Sequence, residues 1–308
     1  SEMSPLEDRI EKILRFQGPI AAVPTLYTKD GELNLEHLES FADYLFEIGV
    51  KGVFILGTTG ESFTLELNEK IRLIETWHHI LLRLKSNQKS MLAIVNISTM
   101  STRESIILAR LLTKLNSFDC IALMSPIIYK PTKESDLIRY FQKIIAKTDG
   151  NHPFLYYHFP DFVGPYKFDL ESLLPEALKE IPQFCAIKFT DSNLLRMNFI
   201  QKNFGKQLKV FTGYDEMLLA AKTSLNIDAA ICATFNLEEN CRSYLQMLDL
   251  IDRNSLLEAR ECQNKISKVC ERLREGENFF QNLKTYLQRN LHSRGIQVGN
   301  VRSPISID

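Results

Sequence analysis

The chain has 308 residues, 44% hydrophobic and 24% charged, and its 37 basic side chains against 38 acidic ones leave a formal charge of −1. That balance describes a folded globular chain and excludes a largely disordered one, and without a long basic run it lacks the electrostatic footprint of a nucleic-acid binder. No apolar run approaches the roughly 18–20 residues of a membrane span. The opening SEMSPLEDRIEKIL carries mixed charges instead of the basic and apolar regions of a signal peptide. The six scattered cysteines (Cys120, Cys185, Cys232, Cys241, Cys262, Cys270) include no Cys-x-x-Cys pair and no zinc-spaced Cys/His cluster. They read as reduced thiols, so the expected compartment is the cytoplasm, with neither nucleic acid nor membrane as partner.

In chain order, short apolar runs rich in β-branched and aromatic residues stand at Ile20–Pro24, Gly52–Leu56, Met91–Val95, Cys120–Met124, Phe154–Tyr157, Cys185–Lys188, Lys209–Thr212 and Ala229–Ala233. They alternate with stretches of helical periodicity, including Leu35–Ile48, Leu67–Leu84, Thr102–Leu115, Glu134–Lys147 and Phe168–Glu180, several opened by Asn, Ser, Thr or Asp as N-caps. Eight such βα units predict an α/β fold closed as a (β/α)8 TIM barrel. The competing open, doubly wound sheet has a G-x-G-x-x-G turn after its first strand, and none is present. A barrel needs about 250 residues, so residues 1–236 form the expected catalytic barrel and 237–308 a C-terminal extension packed on it as a single structural unit. From Glu238 to Leu291 the only glycine is Gly276 and there is no proline, and the apolar pattern predicts three additional C-terminal helices with a break near Glu275–Glu277.

In such a barrel the chemistry lies where each strand ends at its carboxyl side. After the second run comes Gly57-Thr58-Thr59-Gly60-Glu61-Ser62, whose glycines allow a tight turn that gathers N–H groups and two hydroxyls, a cradle suited to a carboxylate. A plain glycine-rich βα turn is the alternative. No lysine follows Gly60, which disfavours a phosphate-binding P-loop. In Phe154-Leu155-Tyr156-Tyr157-His158-Phe159-Pro160, alternation sends Tyr156 and Tyr157 to opposite faces, so one of them faces the barrel mouth, as a reactive group or as core.

Cys185-Ala186-Ile187-Lys188-Phe189-Thr190 puts a lysine inside an apolar strand end. Burial there favours the neutral amine, the form that attacks a ketone to make a Schiff base; a lysine snorkelling its head to water is the alternative. Gly213-Tyr214-Asp215-Glu216 follows the seventh run, where paired carboxylates accept hydrogen bonds from a polyol or complement a helix N-terminus. The six histidines offer no metal-ligating pair or triad.

Together, GTTGES, YxxP, IKxT and GYDE, in this order and approximate spacing, resemble the N-acetylneuraminate lyase and dihydrodipicolinate synthase family of lysine-dependent pyruvate aldolases, from Gly18 through the C-terminal helices. The resemblance implies a homotetramer that needs no cofactor or metal beyond the covalent lysine–pyruvate imine. It makes Lys188 the Schiff-base lysine, Tyr157 the tyrosine of YxxP, Thr58 and Thr59 the pair holding the pyruvoyl carboxylate, and Thr190 a neighbouring site residue. Synthases of the family carry an arginine five residues after the tyrosine and a Tyr-Tyr pair after the fourth strand; here those positions are Phe162 and Ile127-Ile128. The GYDE segment is similar to the one with which sialic acid lyases hold the polyol tail, implying roles for Gly213, Asp215 and Glu216. Where the lyases carry Gly-Ser after the eighth strand this chain has Cys232-Ala233, so Ala233 keeps only a backbone contact.

The expected activity is therefore carbon–carbon lysis: reversible cleavage of N-acetylneuraminate to pyruvate and N-acetylmannosamine. A 2-keto-3-deoxy sugar acid aldolase and a dihydrodipicolinate synthase are the alternatives within the family, and a catalytically silent sugar-acid-binding barrel is the alternative outside enzyme chemistry.

Overall fold

The computed structural model describes residues 3–276 and 278–306. Its strands are β1 (Gly18–Ala22), β2 (Gly52–Ile55), β3 (Leu92–Asn96), β4 (Cys120–Met124), β5 (Phe154–His158), β6 (Phe184–Phe189), β7 (Lys209–Thr212) and β8 (Ala229–Cys232). They follow one another as a closed barrel in sequence order, the (β/α)8 architecture expected. Every strand residue but Lys209 is buried. Strands covered on both faces have no polar side to alternate with, which is why they read as continuous apolar runs.

The helices are α1 (Pro5–Leu14), α2 (Leu38–Glu47), α3 (Leu67–Ser86), α4 (Thr102–Leu115), α5 (Glu134–Ile145), α6 (Pro160–Val163), α7 (Leu170–Glu180), α8 (Leu194–Phe204), α9 (Leu218–Leu225), α10 (Glu238–Asp252), α11 (Leu256–Arg274) and α12 (Phe279–Leu291). The last three are the expected additional C-terminal helices. Of the expected break, Glu275 caps α11 and Gly276 adopts φ +82°, while Glu277 lies outside the described residues. The strand bounds shift slightly from expectation: β1 begins at Gly18, whose φ of +102° suits glycine.

Contacts divide the chain into two compact units, Ser1–Gln17 with Ile94–Ala230, and Gly18–Ala93 with Ile231–Asp308. In the first, α1 is opened by a capping box, the Ser4 hydroxyl accepting the Glu7 N–H while the Glu7 carboxylate accepts the Ser4 N–H. Register then aligns Met124, Tyr157, Lys188 and Phe211 as one row across β4, β5, β6 and β7. In the second unit, the segment after α12 is sewn onto one face of that helix. Gln281 Oε1 accepts the Val301 N–H at 3.1 Å, Lys284 Nζ donates to the Asn300 carbonyl at 3.2 Å, and Gln288 Nε2 donates to the Ile296 carbonyl at 2.9 Å. Spacings of three and four residues put those three side chains on the same stripe.

Candidate active site

Tyr157 and Lys188 are opposite one another on β5 and β6. Lys188 is 5% exposed, and its Nζ stands 4.1 Å from the centre of the Tyr157 ring. The pleat sends Tyr156 the other way, where its hydroxyl donates to that of Tyr166 at 3.1 Å and its ring tilts against Phe141. Of the two adjacent tyrosines, Tyr157 is thus the one beside the lysine.

Thr190 continues β6 past Lys188, its N–H donating to the His158 carbonyl at 2.9 Å. Its hydroxyl is buried and finds no hydrogen-bond partner among the described residues, an unsatisfied group of the kind that a ligand completes. Gly213 follows β7 against it: a Cβ on Gly213 would lie 2.1 Å from Thr190 Oγ1. Asp215 and Glu216 then open a 3-10 turn, Asp215 buried at 7% exposure and Glu216 half-buried. Lys188, Tyr157, Thr190 and Gly213 thus come together, with Asp215 and Glu216 directly after them in the chain.

An aromatic wall extends from Tyr157. Its ring stacks on Phe159 (6.0 Å), Phe159 stacks on Phe162 (5.5 Å), and Tyr214 meets Phe159 edge-on (6.4 Å). The Tyr214 hydroxyl donates to Asp161 Oδ2 at 2.8 Å, and burial and the adjacent Asp161 carboxylate push the phenol above its ordinary range. Behind β5 the ring of His158, 1% exposed, meets Asp191 Oδ2 at 3.0 Å. Burial holds this imidazole below its ordinary value, although Asp191 pulls the other way.

In the second unit, the turn after β2 keeps Thr58 half-buried and Thr59 at 7% exposure. The Glu61 N–H donates to the Thr58 carbonyl (3.0 Å), and the Ser62 N–H to that of Gly57 (3.3 Å). Thr25 Oγ1 pins the turn by donating to the Gly60 carbonyl at 2.6 Å. Gly60 is closely surrounded: a Cβ there would sit 3.2 Å from Leu56 Cα and from the Val23 carbonyl oxygen, so the turn would have to yield by a few tenths of an ångström to admit one. Leu56 and Glu61 both adopt left-handed φ, +59° and +56°, conformations that residues bearing a Cβ hold only when their surroundings enforce them. Ala233, half-buried, opens a 3-10 turn, and its carbonyl already accepts the Asn236 amide at 2.7 Å.

Sequence reasoning passed over two arrangements. Tyr214 and Asp161 lie 53 residues apart, and nothing local couples them. Lys284, by contrast, shows a signal: it stands among Leu283, Leu287 and Leu291 on the buried face of α12, an ionisable residue in an apolar stripe. Its ammonium pairs with the buried Glu61 carboxylate at 2.5 Å.

The chain is similar to known proteins in sequence and in fold. The N-acetylneuraminate lyase of Sus scrofa is 30% identical over 294 residues, covering 94% of this chain and 88% of that protein. The Homo sapiens N-acetylneuraminate lyase matches at 30% identity, covering 94% and 87% of the two chains. Among solved structures, the N-acetylneuraminate lyase of Proteus mirabilis has the same fold, with a TM-score of 0.83 at 24% identity and coverage of 94% of this chain and 92% of that one. Since residues 15–307 also match the Dihydrodipicolinate synthetase family as a whole, barrel and C-terminal helices alike, the chain belongs to that family.

Proposed function

We propose that this chain is a class I aldolase, a carbon–carbon lyase that reversibly cleaves N-acetylneuraminate to pyruvate and N-acetylmannosamine through a Schiff base on Lys188. The observation that carries the reading is the buried Lys188 amine 4.1 Å from the centre of the Tyr157 ring, in a chain whose relatives are named N-acetylneuraminate lyases.

The Lys188 amine attacks the C2 ketone of the open-chain sugar acid, and the carbinolamine takes up a proton and loses water to leave a protonated imine. That cation draws the electrons of the C3–C4 bond as Tyr157 relays the proton of the C4 hydroxyl, passing its own phenol proton to the substrate carboxylate. N-acetylmannosamine departs as the aldehyde and an enamine remains. Protonation of the enamine at C3 and addition of water to the imine release pyruvate and return the free amine. The imine is the electron sink, so the proposed chemistry calls on no metal or separate cofactor.

Thr58 and Thr59, with the N–H groups of their turn, hold the carboxylate and orient the ketone. Thr190 offers its hydroxyl beside the lysine, Gly213, Asp215 and Glu216 receive the polyol tail, and Ala233 adds a backbone contact. Phe162 is an apolar member of the wall where a synthase carries arginine, so a second carboxylate has no partner there. The Cys232-Ala233 pair favours a second reading, cleavage of a shorter 2-keto-3-deoxy sugar acid. Exposed Ile128 and Tyr129, at 62% and 91%, support burial against another copy in a homotetramer. All six cysteines are buried thiols outside any disulfide, which supports a cytoplasmic site of action.

Pyruvate release from a panel of keto sugar acids tests the assignment, with pyruvate and aspartate semialdehyde offered in parallel. N-acetylneuraminate is expected to be turned over fastest. Faster condensation with aspartate semialdehyde would establish a synthase instead, and a lack of turnover on every substrate would leave a silent binding barrel.

A further inference from the structure

The carboxylate of Glu61 is completely buried and faces the C-terminal segment. Glu61 Oε1 pairs with the equally buried Lys284 Nζ at 2.5 Å, and Oε2 accepts the Arg302 backbone N–H at 2.9 Å. The Arg302 guanidinium is itself fixed by a two-pronged pair with Glu69 on α3, both bonds 2.7 Å, and by donating to the Gly31 carbonyl at 2.8 Å. The Tyr27 ring closes the cluster, 4.1 Å from Lys284 Nζ and 4.3 Å from Arg302 Cζ.

A buried ion pair is weak as a device for stability, because removing two charges from water offsets most of their attraction; it is better suited to specifying one arrangement. What it specifies here is the backbone of Glu61. That residue is left-handed, its N–H holds the Thr58 carbonyl, and its own carbonyl accepts the Thr64 hydroxyl at 2.9 Å. The φ of Glu61 therefore cannot relax without moving the Thr58–Gly60 turn.

We propose that Glu61 is a positioning residue for carboxylate recognition: Lys284 and the Arg302 N–H fix its side chain, and its backbone fixes the Thr58–Thr59 turn on which the pyruvoyl carboxylate is held. The C-terminal strap thereby takes part in substrate binding from outside the barrel. The inference rests on the reading of that turn as the carboxylate cradle, so the test separates the two.

Lys284→Met alone strands a buried carboxylate, whereas Glu61→Gln/Lys284→Met removes both charges at similar volume. Borohydride trapping of Lys188 across a pyruvate titration reads affinity, and urea unfolding reads stability. The expected result for the double variant is unfolding close to wild type, half-saturation by pyruvate raised about tenfold from lost orienting hydrogen bonds, and an unchanged trapped fraction at saturation. Lys284→Arg is expected to restore affinity relative to Lys284→Met by returning the cation. A folded double variant with wild-type half-saturation overturns the positioning role. Should it fail to fold, Glu61→Gln alone carries the same test with the same contrary outcome. Thr58→Val/Thr59→Val is the control: a raised half-saturation there beside an unchanged Glu61 variant overturns positioning alone, whereas no change in the threonine variant overturns the cradle as well.

Discussion

Gly213 and Thr190 are in such close approach that a Cβ on the glycine would lie 2.1 Å from the threonine Oγ1 and 2.9 Å from its Cα. Because backbone as well as side chain is met, a rotamer change cannot make the room. Gly213→Ala is expected to cost about 1–3 kcal/mol through overpacking and to slow turnover by displacing Thr190 beside Lys188. Urea unfolding and steady-state kinetics check this, and a variant equal to wild type in both would show that the contact is soft.

The Tyr214–Asp161 hydrogen bond spans the aromatic wall above Tyr157. Tyr214→Phe keeps the ring against Phe159 and frees the carboxylate, so KM for N-acetylneuraminate is expected to rise about tenfold while half-saturation by pyruvate in trapping stays put. Asp215→Ala is expected to show the same division. Equal changes for both ligands would place these residues in catalysis or folding instead of tail binding.

Lys284 carries a pH dependence of its own. Burial brings it down to about 8 from an ordinary 10.5, partly opposed by Glu61. The groups facing it are Glu61 on the β2 turn, Tyr27 after β1, and Arg302 on the strap, with Glu69 of α3 behind the arginine. Above about 8 the ammonium is lost and pyruvate affinity is expected to fall. Stability takes the opposite sign: between the two values the unfolded chain binds a proton that the folded chain has released, so this group's contribution rises with pH. Both trends should be absent from Glu61→Gln/Lys284→Met and should therefore remain in the difference between wild type and that variant.

His152 and His158 are each 1% exposed, and burial depresses both below their ordinary 6.5 despite pairing with Asp149 and Asp191. As pH falls through that value the unfolded chain takes up protons first, so stability is expected to decline on acidification. His158→Gln should reduce the slope of unfolding free energy against pH below about 6.5 by roughly one proton; an unchanged slope would show that His158 protonates equally well in the fold.

Much of this architecture is legible in the sequence because it repeats. β4 and β7 occupy the expected Cys120–Met124 and Lys209–Thr212, apolar runs that end in clear polar punctuation. Lys188 announces itself as a charge in an apolar strand, and the Gly57–Ser62 turn as glycines at a strand end. Helix α1 lies outside the βα repeat, so only its local start signals, Ser4, Pro5 and Glu7, mark it in the sequence. The Glu61–Lys284 pair joins residues 223 positions apart by subtraction of their numbers, and Tyr214–Asp161 joins side chains that no local pattern links. Such pairs follow from closure of the fold, which periodicity does not encode.

The identity of the covalent residue is the central claim, and borohydride reduction in the presence of pyruvate followed by peptide mass mapping addresses it most directly. A single reduced pyruvyl adduct on Lys188, absent from a folded Lys188→Ala variant that releases no pyruvate from N-acetylneuraminate, is the result expected. An adduct on another lysine, or turnover that survives Lys188→Ala, would contradict it.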